Sequence, residues 1–294
     1  MPTLLGVTIV IFLIIRLIPG DPARVIVGLQ ASDEEVRRIR TELGLDRPIH
    51  VQYALFLNQL VHGNLGMSAV TRAPVSEEIS TRLEATAKLA LSSTVLATII
   101  GMGAGIVSAT RQYSLLDYTV MGVALFGVSI PVFWLGMMLM LLFSVTLHWL
   151  PAGGYGTPAH LVLPAIALAA FSVAIIARLT RSSLLEVFNH DYVRTARAKG
   201  LQDRVVVLRH ALKNALIPVL TVVGLQFGAL LSGAVLTETT FAWPGMGRLL
   251  VNAIGARDYP VIQGIVLVFA LTFTVVNLAV DLLYAYVDPR IHYG

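Results

Sequence analysis

The run YTVMGVALFGVSIPVFWLGMMLMLLFSVTL, residues 118–147, contains no Asp, Glu, Lys or Arg. LIPVLTVVGLQFGALLSGAVLT, residues 216–237, repeats the pattern. A helix needs about 20 apolar residues to cross a bilayer. The hydrocarbon core holds no water to solvate a charge or an unpaired peptide group. Both runs are therefore expected to cross as helices. The first is long enough to tilt or kink, and Pro131 marks the expected kink. Working outward, residues 86–109, 160–178 and 261–287 also meet the length requirement. The composition agrees: 56% of the 294 residues are hydrophobic and 13% charged, against about 25% charged in a soluble domain, and the mean hydropathy is +0.78. The expected fold class is an all-α polytopic membrane protein. Cys is absent, which excludes a disulfide framework, a thiolate metal site and a cysteine nucleophile.

A sixth apolar run, about 4–18, begins almost at Met1 and carries Arg16 near its far end. It is read as a first span, occupying residues 1–18, with an N-terminal turn or two absent from this chain. Arg16 then snorkels towards the headgroups. A signal peptide is the alternative, but no charged n-region precedes the run. Orientation follows from Lys and Arg in short loops. Between the fourth and fifth spans lie Arg178, Arg181, Arg194, Arg197, Lys199, Arg204, Arg209 and Lys213, against Glu186, Asp191 and Asp203. That loop is expected in the cytoplasm and supplies most of the net charge of +4, which is therefore no nucleic-acid signature. Counting spans puts both termini in the cytoplasm and the segment after span one outside. Six spans with both ends inside is the consistent arrangement.

The outer segment, 19–81 and on into the second span, is too long for a plain connection. Ser32 with Glu35 reads as a capping box opening a helix that Gly44 stops. Pro48 starts a second helix through Val51, Leu55, Leu57 and Leu60, ending near Gly63. Pro74 and Ser76 precede a third stretch that continues into span two. A helical cap on the membrane and a docking surface or gate are both compatible with this pattern.

Residues 182–218 are the most informative polar segment. Leu184, Phe188, Tyr192 and Ala196 fall at i+4 steps, which predicts one helix from Ser182 to Lys199. Gly200 can take a left-handed conformation and stop it. A second helix follows with Val205, Leu208 and Leu212 on one face, and Pro218 stands at the entrance to span five. The pattern predicts a helix–Gly–helix elbow whose apolar stripe packs into a groove on a partner. The same periodicity is met by a loop packed on its own membrane domain, with its basic residues solvated or touching anionic lipid.

Other features are weaker. Gly101, Gly103 and Gly105 in span two suit close helix packing in lipid. Met137, Met138 and Met140 are read as packing rather than a metal path. His148 and His160 lack a second ligand cluster. Asp281 is the clearest acid inside an apolar run, and a membrane acid is a functional hypothesis by default. Phe241, Trp243, Pro244 and Gly245 lie in an outer segment, 238–260, read as interfacial or re-entrant, with Phe241 and Trp243 in the aromatic belt. No phosphate-cradling Gly-x-x-x-x-Gly-Lys-Ser/Thr occurs.

The run Asp191-Tyr192-Val193-Arg194-Thr195-Ala196-Arg197-Ala198-Lys199-Gly200 resembles the coupling loop of ATP-binding-cassette importer permeases. More narrowly, it is similar to the oligopeptide/dipeptide group, subunit of the first ("B") kind, in its glutathione/dipeptide-like branch. Pro19-Gly20-Asp21-Pro22-Ala23, Leu43-Gly44-Leu45-Asp46, Asn64-Leu65-Gly66 with Pro74-Val75, Arg209 through Pro218, and Phe241 through Gly247 agree with it. So do Asp281-Leu282-Leu283-Tyr284 and Asp288-Pro289-Arg290. The resemblance spans nearly the whole chain. It implies a type I importer fold with a core at 82–281, including the loop 182–218, and a cytoplasmic end at 282–294.

It also implies roles. The loop docks in a cleft of an ATPase subunit, with Ala196 the small residue at the contact, Gly200 the turn, and Tyr192, Arg194, Thr195, Arg197, Ala198 and Lys199 around them. Arg194 and Thr195 stand where the general pattern has Glu and Ala, so no acidic role carries to residue 194. Phe241, Trp243, Pro244 and Gly245 become gate or outer-surface contacts, and Asp281 takes a structural or gate-region role. The chain itself binds no cofactor or metal; ATP and Mg belong to the partner ATPases. The implied partners are a second homologous permease, two ATPase subunits, an external binding protein, lipid and a peptide substrate, in the bacterial inner membrane. Nickel chelates or another small solute are alternative cargo. An ion-coupled carrier would need inverted repeats and several intramembrane acids, and an intramembrane protease a paired nucleophile and base or a His-Glu-x-x-His helix; neither pattern is present.

Overall fold

The computed structural model describes residues 2–17, 23–24, 32–42 and 44–287. Among these the regular structure is helical, apart from one isolated bridge between Met67 and Pro74. The helices are α1 (Pro2–Leu17), α2 (Asp33–Glu42), α3 (Ile49–Val61), α4 (Val75–Thr110), α5 (Leu115–Ser129), α6 (Val132–Leu139), α7 (Pro158–Phe188), α8 (Asp191–Ala198), α9 (Leu212–Gly233), α10 (Val235–Thr240), α11 (Met246–Ala256) and α12 (Tyr259–Val287). A π-helical segment, Met140–Thr146, continues α6; another, Val206–Ala211, leads into α9 behind a short turn at Asp203–Val205. The stretch Pro19–Pro22, Leu43, residues 288–294 and the side chain of Arg16 lie outside the described residues.

Among the described residues four helices are long and apolar enough to cross a membrane: α4, α7, α9 with its lead-in, and α12. The pair α5 and α6 passes the same test together but bends by 103°. The bend falls at Ile130 and Pro131, where the proline ring disfavours a helical residue before it. The pair nevertheless runs from one end of the molecule to the other. Asp117 at its start bonds Ser108 and Arg181, while Phe143 and Leu150 at its finish pack with Leu163 and Phe241. It is therefore one broken span, and Pro131 breaks it far more sharply than a simple kink.

Parallel α4 and α7 form the centre. An added Cβ at Gly101 would stand 2.8 Å from Ile176 Cβ, and one at Gly105 2.5 Å from Thr180 Cβ. The two backbones thus meet along small residues, as helices in lipid require; Gly103 instead faces open space. Antiparallel α9 and α12 meet in the same way, with Gly224 against Val280 and Gly228 against Val276. A 36-residue α4 is about 54 Å long at 1.5 Å per residue, well beyond the roughly 30 Å hydrocarbon core. It therefore reaches structures at both ends of the bundle.

The outer segment folds as its caps dictate. Glu35 N–H donates to Ser32 Oγ at 3.3 Å and Ser32 N–H to Glu35 Oε2 at 3.1 Å, the reciprocal box. Gly44 and Gly63 have φ of +65° and +71°. The ring of Phe12 on α1 packs 5.1 Å from Tyr53 and 5.7 Å from Phe56 on α3. Asp258, between α11 and α12, accepts from the N–H groups of Ala69 at 3.1 Å and Val70 at 3.3 Å and from the Ser68 hydroxyl. That carboxylate ties the segment to the bundle.

Candidate coupling site

The polar elbow is two helices and a turn hung between α7 and α9. The predicted single helix 182–199 is broken: α7 stops at Phe188, the chain turns at Asn189 and His190, and α8 begins at Asp191. The break changes which residues face inward. Val193 and Ala196 are buried with Leu184, Val187, Val206, Ala211, Ala215 and Ala109, while Tyr192 is 41% exposed. Ala196, expected to present its methyl to a partner, faces its own chain instead. The second predicted face also rotates. Val206, Val207 and Ala211 are buried, while Val205 and Leu208 point outward, because the π-helical turn puts more residues in each turn than the 3.6 period assumes.

Gly200 has φ +77° and no atom within 4 Å of where a Cβ would stand. The turn demands its conformation, not its size. Around it, Gly200 N–H donates to Arg197 carbonyl at 2.9 Å and Arg197 Nε to Asp203 Oδ1 at 3.2 Å. The Arg197 guanidinium also lies 5.4 Å from the Phe188 ring centroid. Asn214 Nδ2 donates to the Tyr192 hydroxyl at 2.6 Å, fixing α8 to the base of α9. Arg194, Thr195, Ala198, Lys199, Leu201, Arg204, Val205 and Leu208 are left exposed. The elbow is thus seated on its own membrane helices by one face and offers a mixed basic and apolar face outward. The buried face meets the reading of a loop packed on its own membrane domain, and the outer face is left free.

Beneath the elbow is a site that the sequence reading passed over. Asp117, buried at the start of α5, accepts from Arg181 Nε and Nη2, each at 2.8 Å, and from Tyr113 N–H at 3.0 Å. The Ser108 hydroxyl on α4 also donates to it. The Arg181 side chain is about a quarter exposed, at 25%.

At the opposite end a hairpin, α10–Phe241–Ala242–Trp243–α11, closes the bundle. Phe241, Trp243 and Gly245 are buried and Pro244 half-buried, contrary to the expected interfacial belt and outer surface. Trp243 Nε1 donates to Ala85 carbonyl at 2.9 Å, and its ring meets Tyr155 edge-on at 4.8 Å. Phe241 fills the space over Gly136, where a Cβ would stand 2.8 Å from its ring. Under the hairpin lies Glu238, fully buried. It accepts from Thr86 Oγ1 at 2.7 Å and Arg248 N–H at 3.1 Å. Thr86 Oγ1 in turn accepts from Met246 N–H at 2.9 Å. Burial pushes the Glu238 carboxyl up from its usual range, and the Thr86 hydroxyl with the N–H groups of Arg248 and Gly247 pulls it part of the way back.

Asp281 is exposed on α12 beside exposed Leu278 and Leu282. Asp117 and Glu238 each stand at the edge of a charge-free run. That position was their only signal, and it served as a span boundary.

Long apolar helices, paired along small residues and carrying a basic elbow seated on their ends, define a polytopic helical membrane protein. The chain belongs to the family of binding-protein-dependent transport system inner membrane components: that family's profile matches residues 101–293, and the profile of its N-terminal part matches residues 1–90. It is a permease subunit of the ATP-binding-cassette importer class. It is 50% identical to the dipeptide transport system permease protein DppB of Alkalihalophilus pseudofirmus, over 99% of this chain and 96% of that one. To the glutathione transport system permease protein GsiC of Escherichia coli K12 it is 46% identical, over 99% and 95%. A solved structure of the MetNI methionine ABC transporter, in an inward-facing conformation, overlays with a TM-score of 0.61 at 19% identity, covering 71% of this chain and 96% of that one. At that identity the likeness carries the fold, a type I importer membrane domain.

Proposed function

We propose that this chain is one of the two permease halves of an importer for short peptides, of the dipeptide or glutathione kind, working by alternating access. The near full-length identity to permeases of those two systems supports the cargo class. In this reading α1 is the first of six spans, both termini and the elbow lie in the cytoplasm, and the hairpin end faces the external binding protein. The second half is a homologous permease. ATP and Mg are bound by two separate ATPase subunits, and this chain supplies no catalytic group.

The observation that carries the coupling role is the two-sided elbow. One face is buried with the ends of α4, α7 and α9, and the other leaves Tyr192, Leu201, Val205 and Leu208 exposed among basic residues. A lever needs that combination: a firm seat on the moving helices and a free surface for the motor. Gly200→Val tests it in proteoliposomes holding the assembled importer. A β-branched residue is strained at φ > 0, so membrane insertion is expected to persist while ATP-driven uptake is lost. Uptake at the wild-type rate would overturn the lever.

A further inference from the structure

We propose that the Asp117–Arg181 ion pair is the joint through which displacement of the elbow reaches α4, and so the far end of the molecule; this rests on reading the elbow as the coupling element. The geometry has three parts. Arg181 lies on α7 between Thr180, which touches Gly105 of α4, and Leu184, which packs with Ala109 at the end of α4 and with the elbow residues Val193 and Ala196. The carboxylate it grips belongs to α5 and is shared with the α4 hydroxyl of Ser108 and the α4–α5 turn at Tyr113. Finally, α4 runs from there without an internal proline to Ala85 and Thr86, where the hairpin is fastened by Trp243 and Glu238.

The physics assigns the joint to the ion pair rather than to the apolar contacts beside it. Ile176 and Thr180 seated on Gly101 and Gly105 let the two helices approach closely, but an apolar contact is non-directional. A bidentate guanidinium–carboxylate pair is directional, so it fixes the rotation of α7 against α5 and, through Ser108, against α4. Separating it would leave Asp117 buried and uncompensated, which is strongly unfavourable. α7 therefore cannot turn or slide with the elbow and leave the α4–α5 turn behind. Arg181 and Asp117 act as positioning residues and touch neither substrate nor nucleotide.

The test is the number of solutes imported per ATP hydrolysed, measured in proteoliposomes holding the assembled importer with its binding protein. The solute is labelled dipeptide or glutathione, whichever the wild-type complex imports. Asp117→Asn keeps the shape and loses the charge pair: its amide oxygen can still accept from Tyr113 N–H, while its NH2 can only donate, to a Ser108 hydroxyl turned to accept. Arg181→Lys keeps the charge but loses the fork. Both are expected to retain ATP hydrolysis stimulated by the binding protein, with uptake per ATP lowered about tenfold in Asp117→Asn, a typical coupling energy, and less in Arg181→Lys. Uptake and hydrolysis falling together at a constant ratio would mean a brace and overturn the joint; so would an unchanged ratio. If Asp117→Asn fails to assemble, Arg181→Lys decides by the same ratio. Gly200→Val in the same assay separates the two ideas. Loss of uptake there with a normal ratio in the joint variants removes only the joint, whereas normal uptake in Gly200→Val removes the elbow reading and the joint with it.

Discussion

The two ends of the bundle solve one problem differently. Each buries a carboxylate against α4, Asp117 beside Ser108 at the elbow end and Glu238 beside Thr86 at the hairpin end. Asp117 is matched by a cation from a different helix, whose head keeps some contact with solvent. Glu238 is matched by a hydroxyl and by N–H groups at the start of α11, without a charge pair among the described residues. A bidentate charge pair specifies the relative rotation of the helices it joins. Neutral donors wrapped around a buried acid make a closed lock. Under the proposed coupling role, the elbow end would transmit position and the hairpin end would hold one shape.

The largest expected effect lies in the lock. At Gly245 an added Cβ would stand 2.2 Å from the Glu238 carboxyl, which Thr86 and the N-terminal amides of α11 hold from the other side. Gly245→Ala is expected to cost about 3 kcal/mol, the upper end for overpacking a close-fitted site. A fall in the unfolding temperature of the detergent-purified complex, with proteolysis appearing in α11, would register it. Wild-type stability in Gly245→Ala would mean that the hairpin end is loose, and the contrast between the two ends would disappear.

The sequence made the spans legible because a bilayer tolerates no charge in long runs, and it made the outer helices legible because Ser32, Glu35, Gly44 and Gly63 act locally. The elbow was legible in outline only. The i+4 series Leu184, Phe188, Tyr192, Ala196 continues through Asn189 and His190, and neither is a Gly or Pro to announce the break. The π-helical turn at Val206–Ala211 moved the second face by a change of pitch that a 3.6-residue period cannot express. By residue type Trp243 belongs in the headgroup belt, but its partner, the Ala85 carbonyl, is 158 residues away along the chain. Asp117 was missed for a related reason: from sequence a charge ending an apolar run looks like a boundary, and only the position of Arg181 shows it to be inside.

A smaller effect separates the two acids by pH. Burial raises the Glu238 pKa in the folded protein, so the folded state binds that proton more tightly than the unfolded chain does. Its contribution to stability is then complete below the ordinary glutamate value and is lost as pH rises through the raised one. Glu238→Gln removes the ionisation and should flatten that part of the stability–pH curve, while costing about 1 kcal/mol at acidic pH for a reorganised hydrogen bond. Thermal unfolding of the two proteins over a pH series checks it. An unchanged slope in Glu238→Gln would show that the hairpin acid does not titrate across the transition.

The smallest effect sharpens the comparison through a second glycine. Gly245 is required for its size; Gly200 is required only for its conformation, since its φ is +77° and the space beside it is open. Gly200→Ala should therefore cost about 1 kcal/mol from the left-handed strain on a Cβ, confined to the turn, and leave the unfolding temperature of the bundle nearly unchanged. Asn adopts that region more readily than other non-glycine residues, so Gly200→Asn should retain most of the ATP-driven uptake that Gly200→Val loses. Equal uptake losses in the Asn and Val variants would show that side-chain bulk at the turn obstructs the partner. The outward face of the elbow would then begin at Gly200 itself, with the backbone making the contact expected of Ala196, and conformation would no longer distinguish the glycine of the lever from the glycine of the lock.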